Sequence, residues 1–174
     1  MKKRILFISL ACSIMATACG KNDSIEGSNN SKINVVFSKV GFDATIEDIK
    51  NVYGECNPED ISTGSDGHFE YKYECDYLGK DALVGFGFDS DEKLIIIRWN
   101  YHGDPSDVAG AYEALYNDVV AEYGNPEQEQ SGEIAMWSEP NIMITNMKVF
   151  TNSILDCTFY SPEYAESINN DSNE

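Results

Sequence analysis

Positive charge is scarce in this 174-residue sequence: 12 Lys and Arg stand against 30 Asp and Glu, and arginine occurs twice, at Arg4 and Arg98. So acidic a surface repels phosphate backbones and anionic headgroups, which excludes nucleic acid as a partner. Histidine is equally rare. His68 and His102 each sit beside a glycine, Gly67 and Gly103, as turn-flanking surface residues do. The sequence also lacks a Walker loop, a G-x-S-x-G elbow, an H-E-x-x-H helix and any Cys/His cluster at metal-ligand spacing. Asp89-Ser90-Asp91-Glu92 opens like a calcium loop but has neither its central glycine nor its distal glutamate. The S-x-x-K spacing of Ser90 and Lys93 falls in the same hairpin turn rather than at a helix start. These absences point to a protein that is not an enzyme and that uses no cofactor and no metal.

No apolar run is long enough to span a bilayer. The longest, Ile5 to Met15, has eleven residues broken only by Ser9 and Ser13, follows the basic start Lys2-Lys3-Arg4, and has the length of a signal-peptide core. Ala16-Thr17-Ala18-Cys19 comes next, and then an abruptly polar stretch. This resembles the lipobox of bacterial lipoproteins, which implies cleavage before Cys19 and diacylglycerol on its thiol. Residues 1–18 are then signal peptide, and the chain is extracytoplasmic, held to the outer face of the plasma membrane or to the outer membrane by acyl chains. Cleavage removes three basic and no acidic residues, leaving nine against 30, a formal net charge of −21. Residues 19–32 and 165–174 are polar and nearly devoid of core-forming side chains, and read as a flexible tether and a disordered acidic tail.

Between them one phrase occurs twice, Tyr53-Gly54-Glu55-Cys56-Asn57-Pro58-Glu59 and Tyr123-Gly124-Asn125-Pro126-Glu127. Ile46 and Ile49 precede the first at offsets of seven and four, and Tyr116 and Val119 precede the second identically, so each phrase ends an amphipathic helix. Thr45 and Asp104 are the N-caps, Pro105 suits the first helical position, and Gly54 and Gly124 suit the left-handed residue past the last turn. Beyond each stop the period changes to two. Phe69 to Tyr77 alternates aromatic or cysteine with charge, and further strands fall at 82–88 and 94–101, then at 133–137, 142–150 and 153–160. Residues 33–38 read as an extra strand or the lead-in to the first helix. The expected fold class is α+β: tandem repeats of a helix plus a three-stranded antiparallel meander, 33–103 and 104–164, forming one layered sheet with helices on one face.

A lipobox, a helix ending in Tyr-Gly-x-Pro, a meander, and Trp137 in the first strand of the later copy resemble the superfamily of the BamE/SmpA-type lipoproteins and the beta-lactamase inhibitor protein. The residues carrying the likeness are Tyr53, Gly54, Pro58 and Cys75, and Tyr123, Gly124, Pro126 and Trp137. The resemblance implies a non-enzymatic protein that binds another protein with the open face of its sheet. It departs from the inhibitor protein in lacking a cysteine pair in the second copy.

Three cysteines remain in the mature chain besides Cys19, and one bond among them allows three pairings. Cys56 lies in the insertion that lengthens the first phrase, and Cys75 on the inward side of the next strand. A Cys56–Cys75 disulfide, closing a loop of about twenty residues and contributing roughly 3 kcal/mol, is the expected pairing. Cys157 alternates with Leu155 and Phe159 as a buried small residue. If the aromatic side of Phe69–Tyr77 is covered, the opposite side presents Glu70, Lys72 and Glu74, then Arg98 and Asn100 from the third strand, over a surface hollowed by Gly85 and Gly87. These five residues are the expected partner-binding set, with Arg98, the only arginine of the mature chain, as the anchor for a partner's carboxylate. The alternative is a sensor of a small ligand or divalent ion that uses the acidic surface or the groove between copies.

Lipidation has a direct test. An alkyne-bearing fatty acid fed to cells is expected to label the wild-type chain, and Cys19→Ser to abolish the label and release the protein from the membrane pellet; an unlabelled wild type means ordinary secretory cleavage after Ala18.

Overall fold

The computed structural model of the protein describes residues 33–64 and 67–171. The signal peptide, Cys19 and the tether expected over 1–32 lie outside the described residues.

The first helix, α1 (Ile46–Tyr53), is fixed at its start by a capping box: the Thr45 Oγ1 accepts from the Asp48 amide, and the Asp48 carboxylate accepts from the Thr45 amide. The second, α2 (Pro105–Tyr123), begins with proline at its first position and buries Val108, Ala111, Leu115 and Val119 along one stripe. Both end as the duplicated phrase predicts. Gly54 at φ 93° and Gly124 at φ 79° turn the chain where a side chain would be strained, and each donates its amide back into the last turn, to Lys50 O and Val120 O.

Each helix is followed by four strands rather than three. After α1 and a short 3-10 turn at Pro58–Asp60 come β1 (Ile61–Thr63), β2 (Phe69–Tyr77), β3 (Lys80–Phe88) and β4 (Leu94–Gly103). After α2 come β5 (Gln128–Gln130), β6 (Ile134–Trp137), β7 (Ile142–Val149) and β8 (Asn152–Tyr160), and a third helix, α3 (Pro162–Asp171), closes the described chain. All eight strands form one open antiparallel sheet in the order β1-β2-β3-β4-β8-β7-β6-β5.

This corrects the expected fold class. Tandem helix-plus-three-strand repeats in a layered sheet with helices on one face are not what the chain forms; it forms a single eight-stranded open antiparallel sheet with three helices. The extra strands β1 and β5 are three residues each and exposed throughout, so they carry no burial pattern for the period to reveal. The third helix covers residues 162–171, most of which read as disordered tail. It packs apart from the main core: Ala165 is buried, and Tyr164 stacks on Tyr160, which points away from the face that holds Phe159.

The core fills the other face. Phe69, Tyr71, Tyr73 and Tyr77 of β2 point into it, Phe69 stacking on Phe88 at 5.2 Å and Tyr77 meeting Trp99 edge-on at 5.5 Å. Trp99, Phe86, Phe88, Ile97 and Phe159 are fully buried, each worth roughly 1.5–3 kcal/mol of apolar burial. Residues 33–38 form neither strand nor helix. They cross the core as turns, with Val35 and Phe37 buried and the Phe37 ring 5.6 Å from that of Phe159. Trp137 ties the second copy together, its indole N–H donating to Gly124 O at 2.9 Å and so fastening β6 to the helix stop.

Aromatic phenols in the core make the fold alkali-sensitive. Burial first, and the neighbouring Cys56 next, push the Tyr73 hydroxyl up to about 12. Tyr77 is also raised, by burial and then by its hydrogen bond to Asp118 at 2.5 Å. A phenol held neutral by the fold contributes stability that is complete below the unfolded tyrosine pKa near 10 and is lost as pH rises through the folded value. Unfolding followed by circular dichroism is therefore expected between about pH 10 and 12, in step with tyrosinate absorbance. Tyr73→Phe should move the alkaline midpoint upward, and an unmoved midpoint in that variant counts against the assignment.

Candidate functional site

Strand alternation places the five expected partner-binding residues on the sheet face opposite the core. Glu70, Lys72 and Glu74 alternate with the inward aromatics of β2, and Arg98 and Asn100 alternate with Ile97 and Trp99 of β4. Between them runs β3, with Gly85 paired to both Lys72 and Arg98 and Gly87 paired to both Glu70 and Ile96.

Three of the five form one charged cluster. The Glu70 carboxylate bridges two cations, with Oε2 3.5 Å from Lys72 Nζ and Oε1 3.5 Å from Arg98 Nε. Gly85 makes the bridge possible, because a Cβ there would stand 2.4 Å from Glu70 Oε1. Glycine on a central strand, ordinarily a weakening choice, thus gives the carboxylate a floor to lie on. Glu70 Oε1 and Arg98 Nε are both buried and have no hydrogen-bond partner among the described residues, so the contact is ionic. The cluster carries one net positive charge in a chain that is otherwise strongly acidic.

Asn100 belongs to a second, neighbouring network. Its Oδ1 meets His102 Nε2 at 2.6 Å, and its Nδ2 donates to Asp156 Oδ2 at 3.4 Å. Asp156 also accepts from the Thr158 hydroxyl at 2.6 Å, and Thr158 stands directly opposite Arg98 in the β4–β8 register. The fifth residue, Glu74, is exposed opposite Leu83 and joins neither group. Reading the first copy alone missed Asp156 and Thr158, which come from β8. Only the pairing of the two last strands puts them here, and a single strand's period does not reveal its neighbour.

The expected Cys56–Cys75 disulfide is not formed; Cys56, Cys75 and Cys157 are all unbonded. Cys56 Sγ lies 3.4 Å from Lys72 O, while Cys75 Sγ lies 3.9 Å from Phe37 O. The loop after α1 meets β2 beside Lys72 and Tyr73, and Cys75 is a further two residues, roughly 7 Å, along the strand. Phe37 covers Cys75 from the other side, so each thiol has its own cover. Burial raises the pKa of all three thiols, Cys157 furthest, which keeps them protonated and poor nucleophiles.

The face also carries an apolar area that the sequence reading did not single out. Met136, Met143 and Met147, with Ile134 and Ile154, line the open side of β6, β7 and β8, and Phe150 at the β7–β8 hairpin is fully exposed at φ 56°. In Ile142-Met143-Ile144 both phases of the strand are apolar, so alternation gave no face to assign. Among the described residues no group of His, Cys, Asp and Glu is placed to hold a metal ion, and no helix is long and apolar enough to cross a membrane. What the face offers chemically is paired charge, amide and hydroxyl hydrogen bonding, and flexible apolar contact. Comparison with family models, with curated proteins and with solved structures finds no match to this chain.

Gly85→Ala isolates the role of the charged cluster. The methyl group evicts the carboxylate, the end of a flexible side chain, while alanine offsets part of the loss by restraining the unfolded chain. Stability should change by no more than about 1 kcal/mol, as for other partly exposed ion pairs. The Arg98 Nε–H signal in an arginine-labelled NMR spectrum should shift and exchange faster with water. A signal left unmoved shows that Glu70 does not hold the guanidinium.

Proposed function

We propose that this protein is a lipid-anchored, extracytoplasmic binding protein of the bacterial cell envelope that engages another protein through the open face of its sheet and catalyses no reaction. The observation that carries the reading is the asymmetry of the sheet. One face is filled by the aromatic core, while the other, covered by α3 around Tyr160, presents a bridged charge cluster and exposed apolar side chains beyond it. Met136, Met143 and Met147 stand together on this face, Met147 at 53% exposure, and it is such grouped apolar exposure that marks an interaction surface. The anchor half of the reading rests on the lipobox-like residues Ala16 to Cys19, and the resemblance to small envelope lipoproteins agrees with both halves.

Arg98 is the anchor for a partner's carboxylate in this reading: its side chain is 40% exposed and faces Glu70 through Nε. Crosslinking in intact cells followed by purification from the membrane fraction is expected to give a defined adduct. Arg98→Glu should remove that adduct while the purified variant keeps its thermal midpoint to within a few degrees. An identical crosslinking pattern in wild type and variant would place the contact elsewhere.

A further inference from the structure

Resting on that protein-binding reading, we infer that the open face of β6, β7 and β8 is the docking surface for a basic amphipathic helix of the partner. Two observations converge on this. The first is an apolar and adaptable stripe, interrupted on β7 by Thr145. Met136 and Met143 are directly paired across β6 and β7, and Met147 is paired with Ile154 across β7 and β8. Unbranched thioether side chains re-pack around differently shaped apolar partners, which suits the face of a helix better than a fixed pocket does. From Met143 to Val149 the stripe runs six residues along β7, about 20 Å. That length equals about 13 residues of α-helix.

The second observation is charge. Residues 104–164 hold eleven Asp and Glu, five of them at or on α2 across the sheet, and one basic residue, Lys148. Asp156 lies on the face itself, and Glu133 and Glu139 flank β6 at its two ends. An apolar stripe inside an acidic surround is complementary to a helix with an apolar face and lysine or arginine along its margins. The same charge disfavours the other occupants. A second copy would bring two acidic surrounds together, and an anionic bilayer would meet like charge.

The test titrates the full chain, reconstituted in phosphatidylcholine nanodiscs with empty nanodiscs as blank, with two fluorescein-labelled 16-residue helical peptides. They share a leucine face and differ in carrying lysine or glutamate on the polar face. The Leu–Lys peptide is expected to bind, with affinity falling at least tenfold in the charge-neutral double variant Met143→Gln/Met147→Gln; the Leu–Glu peptide is expected not to bind. Should the double variant melt early, Met147→Gln alone, at a half-exposed position, replaces it. Equal binding of both peptides, or undiminished binding by a folded variant, overturns the inference. So does a dimer seen by light scattering, or adsorption to phosphatidylglycerol vesicles, that the same substitutions abolish. If the peptides fail while the cellular adduct persists and still depends on Arg98, the basic-helix chemistry is wrong and the protein-binding reading stands. If the adduct is also indifferent to Arg98, both fall.

Discussion

Antiparallel pairing of β4 with β8, from Ile96 against Tyr160 to Gly103 against Ser153, joins two meanders that neither copy could bury alone. A four-stranded sheet with one short helix has little apolar area to hide, and small sheets of that kind are marginal in water. Joined edge to edge, the last strand of each copy becomes central, its backbone paired on both sides. An unbroken apolar run, Leu94 to Ile97, falls on β4. Trp99 and Cys157 face each other across the seam and are both fully buried. Phe37, from the segment before α1, rests on Phe159 at the same seam, so the lead-in to the first copy also depends on a strand from the second.

The seam also sets what the far face holds. Register brings Arg98 opposite Thr158 and Asn100 opposite Asp156, so the charged cluster of the first copy and the polar network of the second become neighbours. Glycine is the other condition. Gly85 leaves room for Glu70 to lie across the strand, and Gly87 would bring a Cβ to 3.2 Å from Ile96. Two central positions without side chains lower the middle of the first half, and the thioethers of Met136 and Met143 raise the second. The asymmetry between halves therefore has a cause in particular residues, and the duplication does not impose equal surfaces on its copies.

How much of this was legible in the sequence follows from what each element needs. Helix stops were legible because a left-handed residue demands glycine, and the same glycine recurs at the same offset after Tyr53 and Tyr123. The longer strands were legible because burial on one side writes a period of two, and β2 was placed at Phe69–Tyr77 with its faces correctly assigned. The edge strands β1 and β5 bury nothing, so no pattern marks them. Helix α3 has a polar, asparagine-rich sequence of low helix propensity and is held by Tyr164 on Tyr160 and by buried Ala165, contacts whose partners lie elsewhere in the chain. The cysteine pairing failed for a related reason. Facing the same side of a strand is not proximity, and the position of the loop that carries Cys56 is set by tertiary packing. Of the site, the charged residues of β2 and β4 were legible, whereas the methionine stripe was hidden in a strand apolar in both phases.

Charge and exposed apolar area act together on this surface. An uncovered sheet face with methionine and phenylalanine exposed is ordinarily a liability, because copies of the same protein find it first. A formal net charge of −18 opposes that encounter at every orientation, since like-charged molecules are held apart before short-range apolar contact begins. The protection weakens as ionic strength rises and the Debye length shortens. Within the second copy Glu133 and Glu139 flank the apolar stripe and Asp156 stands within it, opposite Thr145, so charge and apolar contact are interleaved on one face. Net charge then does two things at once: it keeps the open face from itself, and it selects by sign what is allowed to approach. A neutral chain with the same eight strands would have to cover more of this face than α3 does, and the part left open is tolerable because the chain is so acidic.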